Sequence, residues 1–197
     1  MAPPAKIMII RHAEEPQIQG WPPFGVQADG VRAQHGESLT VRGWQRAGAL
    51  AVLFGPAIST LRDSRLAVPH RIYAENTPTR DETKWHCALE TIMPLAERLG
   101  LTVNMFFAEG DEQALAADVL SRQDVVLIAW DDIRTLVRHL TCAININPIP
   151  EEWPWHRCDL VWVFTAPASS TERWGFDQVP QMLLAGDANS IISASDP

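Results

Sequence analysis

Three uninterrupted apolar runs constrain this chain most: Ile7-Met8-Ile9-Ile10, Val125-Val126-Leu127-Ile128-Ala129 and Leu160-Val161-Trp162-Val163-Phe164. Each has the length of a strand and is apolar at every position, so a sheet built from them has no face to offer water. Helices must cover both sides. The intervening segments supply them. Val41, Trp44, Ala47 and Ala51 recur at helical spacing behind Thr40, a good N-cap, and Gly55-Pro56 stops the element. A second helix is expected from about Trp85 to Leu99, ending at Gly100, with Leu89, Ile92, Met93, Ala96 and Leu99 on its buried face. Asp111 caps a third helix through Leu120, and a fourth runs from Asp131 to Leu140. His70–Ala74 and Leu101–Phe107 read as further strands, and the third run is read as a strand over Asp159–Phe164. This alternation predicts an α/β three-layer sandwich with a mainly parallel central sheet and helices on both faces. With 197 residues, 46% of them hydrophobic, a single domain over residues 1–197 is expected, and the chain has no internal repeat or linker.

Charge narrows the functional classes. Sixteen Lys and Arg against twenty-four Asp and Glu give a net charge of −8, which argues against broad binding to nucleic acid or to an anionic membrane. Any phosphate site must be a local basic pocket. The three cysteines, Cys87, Cys142 and Cys158, are odd in number and lack Cys-x-x-Cys spacing, so the sequence indicates neither a disulfide framework nor a zinc site. The start of the chain lacks the pattern of a secretory signal, and no apolar run approaches the roughly 20 residues that cross a bilayer. A cytoplasmic location is the expectation.

The first run carries the chemistry. It ends in Arg11-His12-Ala13-Glu14, and parallel strands of α/β proteins present their sites at their carboxyl ends. A histidine there can serve as base, ligand or nucleophile, and the fixed charge beside it favours an anionic substrate. From Pro16 to Glu37 three prolines and four glycines rule out a long regular element, leaving an irregular loop beside the strand end.

The Arg11-His12-Ala13-Glu14 tetrapeptide, the pattern Leu39-Thr40-Val41-Arg42-Gly43-Trp44-Gln45-Arg46-Ala47, and the later Leu89-Glu90-Thr91 and Asp159-Leu160-Val161-Trp162 together resemble the histidine phosphatase superfamily, which includes phosphoglycerate mutase-like proteins. The resemblance spans most of the chain. It implies that His12 is the nucleophile and that Arg11 binds the transferred phosphoryl group, dividing one displacement into two through a phosphohistidine. It implies a phosphomonoesterase-like hydrolase, a small anionic or phosphorylated ligand, and no metal or organic cofactor, since arginines stabilise the charge.

Two positions depart from that pattern. The family's second arginine is Cys87 here, with Arg80, Lys84 or His86 as partial substitutes, and its second histidine is replaced within Trp130-Asp131-Asp132-Ile133. His139 lies too far along the helix to take over. Asp131 and Asp132 would repel a phosphate dianion, though either can act in acid-base chemistry or pair with Arg11. The candidate site is therefore His12 and Arg11 as catalytic residues, with Arg11, Glu14, Arg80, Trp130 and Asp131 around the substrate. Trp21, Trp85 or Trp130 would give the pocket an apolar wall. Weak or altered phosphatase activity is the leading reading. The alternatives are a non-catalytic pseudophosphatase that binds an anionic ligand or a protein, and an enzyme using His12 with Asp131 or Asp132 for non-phosphate chemistry.

Overall fold

A computed structural model describes residues 5–17, 22–32, 38–55, 61–76, 86–169 and 171–193. The apolar runs form the centre of a six-stranded sheet. Its elements are β1 (Lys6–Arg11), α1 (Val41–Phe54), β2 (Arg71–Ala74), α2 (Cys87–Leu99), β3 (Val103–Asn104), α3 (Glu112–Leu120), β4 (Val125–Trp130), α4 (Ile133–Ala143), β5 (Leu160–Thr165) and β6 (Gly175–Pro180). The strand order is β3-β2-β4-β1-β5-β6. The pairs β3-β2, β2-β4 and β4-β1 are parallel, whereas β5 runs antiparallel to both β1 and β6.

Alternation along β1 divides the core in two. Met8 and Ile10 pack with Leu50, Phe54, Ile92 and Leu95 of α1 and α2, while Ile7 and Ile9 pack with Leu115, Val119, Leu136 and Leu140 of α3 and α4. Both sheet faces are thus covered, as the uniformly apolar runs require. The expected α/β architecture, a mainly parallel sheet between two helical layers, is the observed one.

Several boundaries differ, each for a physical reason. The expected Leu101–Phe107 strand pairs only at Val103–Asn104, at the sheet's edge. β6 carries Asp177, Gln178 and Pro180, so it lacks the apolar signal of a central strand, and as the other edge it needs none. The fourth helix begins at Ile133 and not at Asp131, because Asp132 caps it by accepting from the Thr135 N–H at 3.0 Å. Thr40 caps α1 as expected, accepting from Gly43 N–H at 3.1 Å, and Gly100 closes α2 in the left-handed conformation. The buried faces are rotated from those expected. Val41 is 61% exposed and Met93 40% exposed, while Arg46 and Glu90 are interior.

Candidate active site

Arg11 and Trp130 are register partners at the carboxyl ends of β1 and β4, so the residues that follow them, His12 and Asp131, leave the sheet side by side. The loop after β1 is pinned from two directions. The Ala13 N–H donates to Thr91 Oγ1 of α2 at 2.7 Å, and the Glu14 carbonyl accepts from the Thr40 N–H at 2.9 Å and the Thr40 hydroxyl at 3.0 Å. Glu90 fixes the facing segment, accepting from the Leu39 N–H at 2.8 Å and from the Ser38 hydroxyl.

Gly43 allows the close approach. A Cβ there would lie 2.4 Å from the Glu14 carbonyl oxygen and 3.0 Å from Leu39 Cβ. Gly43→Ala is therefore expected to force the loop off α1 and to lower stability by about 1–3 kcal/mol, the usual range for overpacking. An unchanged midpoint in urea denaturation would contradict this packing.

The His12 ring is buried and has a fixed orientation. Its Nδ1–H donates to the Ala13 carbonyl at 2.8 Å, which leaves Nε2 pointing away from the backbone. Nε2 lies 3.3 Å from Asp131 Oδ1 and 3.9 Å from Glu15 Oε2. Burial alone would disfavour the imidazolium, and Arg11 opposes it too, but the Asp131 and Glu15 carboxylates outweigh both and raise the His12 pKa. The Asp131 carboxyl is held below its ordinary value, chiefly by His12 and then by Arg11 against burial.

Arg11 Nη2 donates to Asp131 Oδ1 at 2.6 Å. Its buried Nε finds no partner among the described residues. Beside this pair, Glu75 Oε2 accepts from the Asp131 N–H at 3.0 Å, and burial pushes the Glu75 carboxyl up to about 7. Cys87 is 2% exposed, and burial, with Glu15 and Glu90 nearby, pushes its thiol well above the usual range.

Glu14 lines the same cleft as His12, and its carboxylate is held by arginines. It accepts from Arg46 at 2.8 and 3.0 Å and from Arg42 at 2.9 Å, while Arg46 also grips Asp187 at 2.7 and 3.1 Å and Gln181 at 3.0 Å. This network lines a cleft of about 650 Å³ with Phe24 and Arg32, and a second cleft of about 430 Å³ is lined by His12, Glu15, Trp155 and His156.

The structure thus brings His12, Arg11 and Asp131 together and adds Glu15, Glu75 and Cys87, which the sequence reading did not assign to the site. Trp130 is a correction. Expected at the substrate, it is fully buried among core residues such as Ile133 and Leu136, with its indole N–H donating to Glu112 at 3.3 Å. Its place on an interior strand, facing α3 and α4, explains why. Arg80, Lys84, Trp21, Trp85 and His35 lie outside the described residues. His86 is exposed, and its side chain makes no cap hydrogen bond at the start of α2.

No protein-family model matches the chain, and no curated protein does. Two solved structures are similar to it: a protein from Agrobacterium tumefaciens named as the phosphohistidine phosphatase SixA, and the protein histidine phosphatase SixA complexed with tungstate. These structural neighbours are histidine phosphatases by name. In each case the identity is 16%, the match covers 89% of this chain and 97% of the other, and the TM-score is 0.47. Among the described residues, no helix is long and apolar enough to cross a membrane.

Proposed function

We propose that the chain hydrolyses a phosphorylated small molecule slowly, through a phospho-His12 intermediate, at a site depleted of positive charge. The observation that carries this reading is the His12 orientation. With Nδ1–H committed to the Ala13 carbonyl, Nε2 is the nitrogen available for in-line attack once it has given up its proton, and the ring borders an open cleft. Arg11 is the group to hold the phosphoryl oxygens, because among the described residues Asp131 engages it through Nη2 alone. Glu75, whose carboxyl burial pushes up to about 7, is suited to deliver a proton to the leaving group.

Turnover is slow because Asp131 stands where a dianion would settle. A phosphoryl group approaching Nε2 meets the carboxylate 3.3 Å from that nitrogen and must compete for Arg11. The same contact favours a second reading, a recognition pocket without turnover for an anionic ligand or a protein. The test is incubation with p-nitrophenyl phosphate and radiolabelled phosphate donors. Wild-type protein should acquire acid-labile phosphate, and His12→Ala should lose both label and turnover, by at least the roughly 10²–10⁴-fold that one positioned catalytic group contributes. Unchanged hydrolysis by His12→Ala would rule out the mechanism. Measurable affinity for phosphate with no turnover would establish the second reading instead.

A further inference from the structure

Two side chains that the phosphoryl reading does not use, Glu15 and Cys87, converge on its nucleophile, His12. His12, Glu15 and Cys87 each present a metal-ligating atom, and these atoms lie within 4.8 Å of one another. We propose that they form a binding site for a thiophilic divalent cation, zinc being the best fit, with a fourth position open to the cleft.

The geometry suits the ion. Bonds of about 2.0 Å to imidazole and carboxylate and about 2.3 Å to thiolate place the donors of a tetrahedral zinc roughly 3.5 Å apart. His12 Nε2 and Glu15 Oε2 are already 3.9 Å apart. Closing the set therefore requires only small side-chain movements, and Glu15, whose side chain is 34% exposed, has the room to make them.

The ligands are also prepared. Metal-bound histidines commonly donate their second ring N–H to a carbonyl, which fixes the tautomer, and the His12 Nδ1–H already does so to Ala13 at 2.8 Å. Among the described residues its Nε2 lies against the carboxylates of Asp131 and Glu15, an arrangement that a cation can complete in place of the ring proton. Cys87 closes the group from the protein interior, packed with Ala13, Leu39 and Ala47, while His12 and Glu15 border the cleft through which an ion would enter. On binding, the thiol proton and the proton on His12 Nε2, where it is present, leave to solvent, and zinc–thiolate and zinc–imidazole bonds form.

Charge agrees. Arg11, the cation next to this point, is paired with Asp131 at 2.6 Å, so two carboxylates and a sulfur outweigh one guanidinium. Nitrogen and sulfur donors favour zinc over magnesium or calcium, which take oxygen.

Occupancy has a consequence that rests on the proposed phosphoryl chemistry. Zinc would take the Nε2 lone pair that attack requires, so the metal-loaded protein should be unable to form phosphohistidine. The test uses cobalt(II) as a spectroscopic stand-in, in a Cys142→Ser background that removes the exposed thiol. One equivalent should produce thiolate-to-cobalt charge-transfer absorption in the near ultraviolet, displaced by zinc. Cys87→Ser should abolish that band, Cys158→Ser should retain it, and Glu15→Gln should weaken zinc binding by at least roughly 10²-fold, since losing a group that only supports a ligand already costs up to that much. Absence of the band in the parent protein, its persistence in Cys87→Ser, or unaltered affinity in Glu15→Gln would overturn the proposal. Glu15→Gln keeps the test decisive if the buried cysteine variant fails to fold. Zinc should in turn inhibit any turnover of the metal-free protein stoichiometrically. A metal-free protein without turnover would overturn the phosphoryl reading and leave the absorption band, and the metal site, standing.

Discussion

Replacing Arg46 with methionine is expected to destabilise the fold by about 3–5 kcal/mol, the range for removing one partner of a buried ion pair. The guanidinium is 2% exposed and holds two carboxylates, Glu14 from the site loop and Asp187 from near the end of the described chain. The Asp187 side chain is itself only 1% exposed. Without Arg46 it would be left as a buried charge, supported only by the Leu183 and Leu184 N–H groups at 2.8 and 3.0 Å and by the half-exposed Arg42 at 3.4 Å. A domain of this size has a total stability of about 5–15 kcal/mol, so the loss is a large share of it. The midpoint of urea denaturation measures it. Adding Asp187→Asn to Arg46→Met should recover part of the loss, because the residues share one network and their effects do not add. A shift below about 1 kcal/mol in the single variant, typical of an exposed pair, would show that the network is solvated.

Acid exposes the same network. Burial pushes the Asp187 carboxyl up, but hydrogen bonds from Arg46, Leu184 and Leu183 reverse this and hold its pKa below the ordinary value. Glu14 is likewise held down, mainly by Arg46 against burial. A depressed folded-state pKa means the native protein keeps the charged form where the unfolded chain has begun to take up a proton. The stabilisation is therefore complete above the unfolded value of about 4 and is lost as pH falls through it towards the lower folded value. Denaturation midpoints measured from pH 7 to 3 should decline in that acidic window, and less steeply in Arg46→Met.

The sheet was legible because its strands are buried on both faces, and continuous apolar runs such as Ile7–Ile10 and Val125–Ala129 have few other destinations. Thr40 and Gly100 were legible as caps because their roles depend on residues within one turn. The face of α1 was not, because Arg46 sits within its buried stripe and its partner Asp187 lies 141 residues away. A periodicity argument treats such an arginine as solvent-facing. Trp130 was placed at the substrate as an apolar wall of the pocket, and nothing near it in sequence identifies Glu112 as the acceptor of its N–H. His12 and Arg11 were found because strand position and charge coincide in one tetrapeptide. Cys87 joins them only through the fold: 75 residues separate it from His12, so the linear spacing that marks common zinc motifs is absent.

Asp131→His should raise phosphomonoester turnover by roughly 10²-fold, the lower end of what a positioned acid-base group supplies. Three effects act in the same direction. The substitution removes the carboxylate 3.3 Å from Nε2 that repels an incoming dianion, and it releases Arg11 Nη2, now committed at 2.6 Å, to bind phosphoryl oxygens. It also places an imidazole at the end of β4, opposite His12, where it can donate a hydrogen bond to the transferred group. The position tolerates the larger ring, because the Asp131 side chain is 58% exposed. Asp131→Asn separates these contributions. It relieves repulsion without adding a donor of the right basicity, so its gain should be smaller, of the order of tenfold, which corresponds to about 1.4 kcal/mol of barrier. Steady-state hydrolysis of p-nitrophenyl phosphate by metal-free protein, with the His12→Ala background subtracted, measures both. Equal gains in the two variants would assign the whole effect to charge. No gain in either would mean that Asp131 is not what limits phosphate access, and that the site is built to bind without turning over.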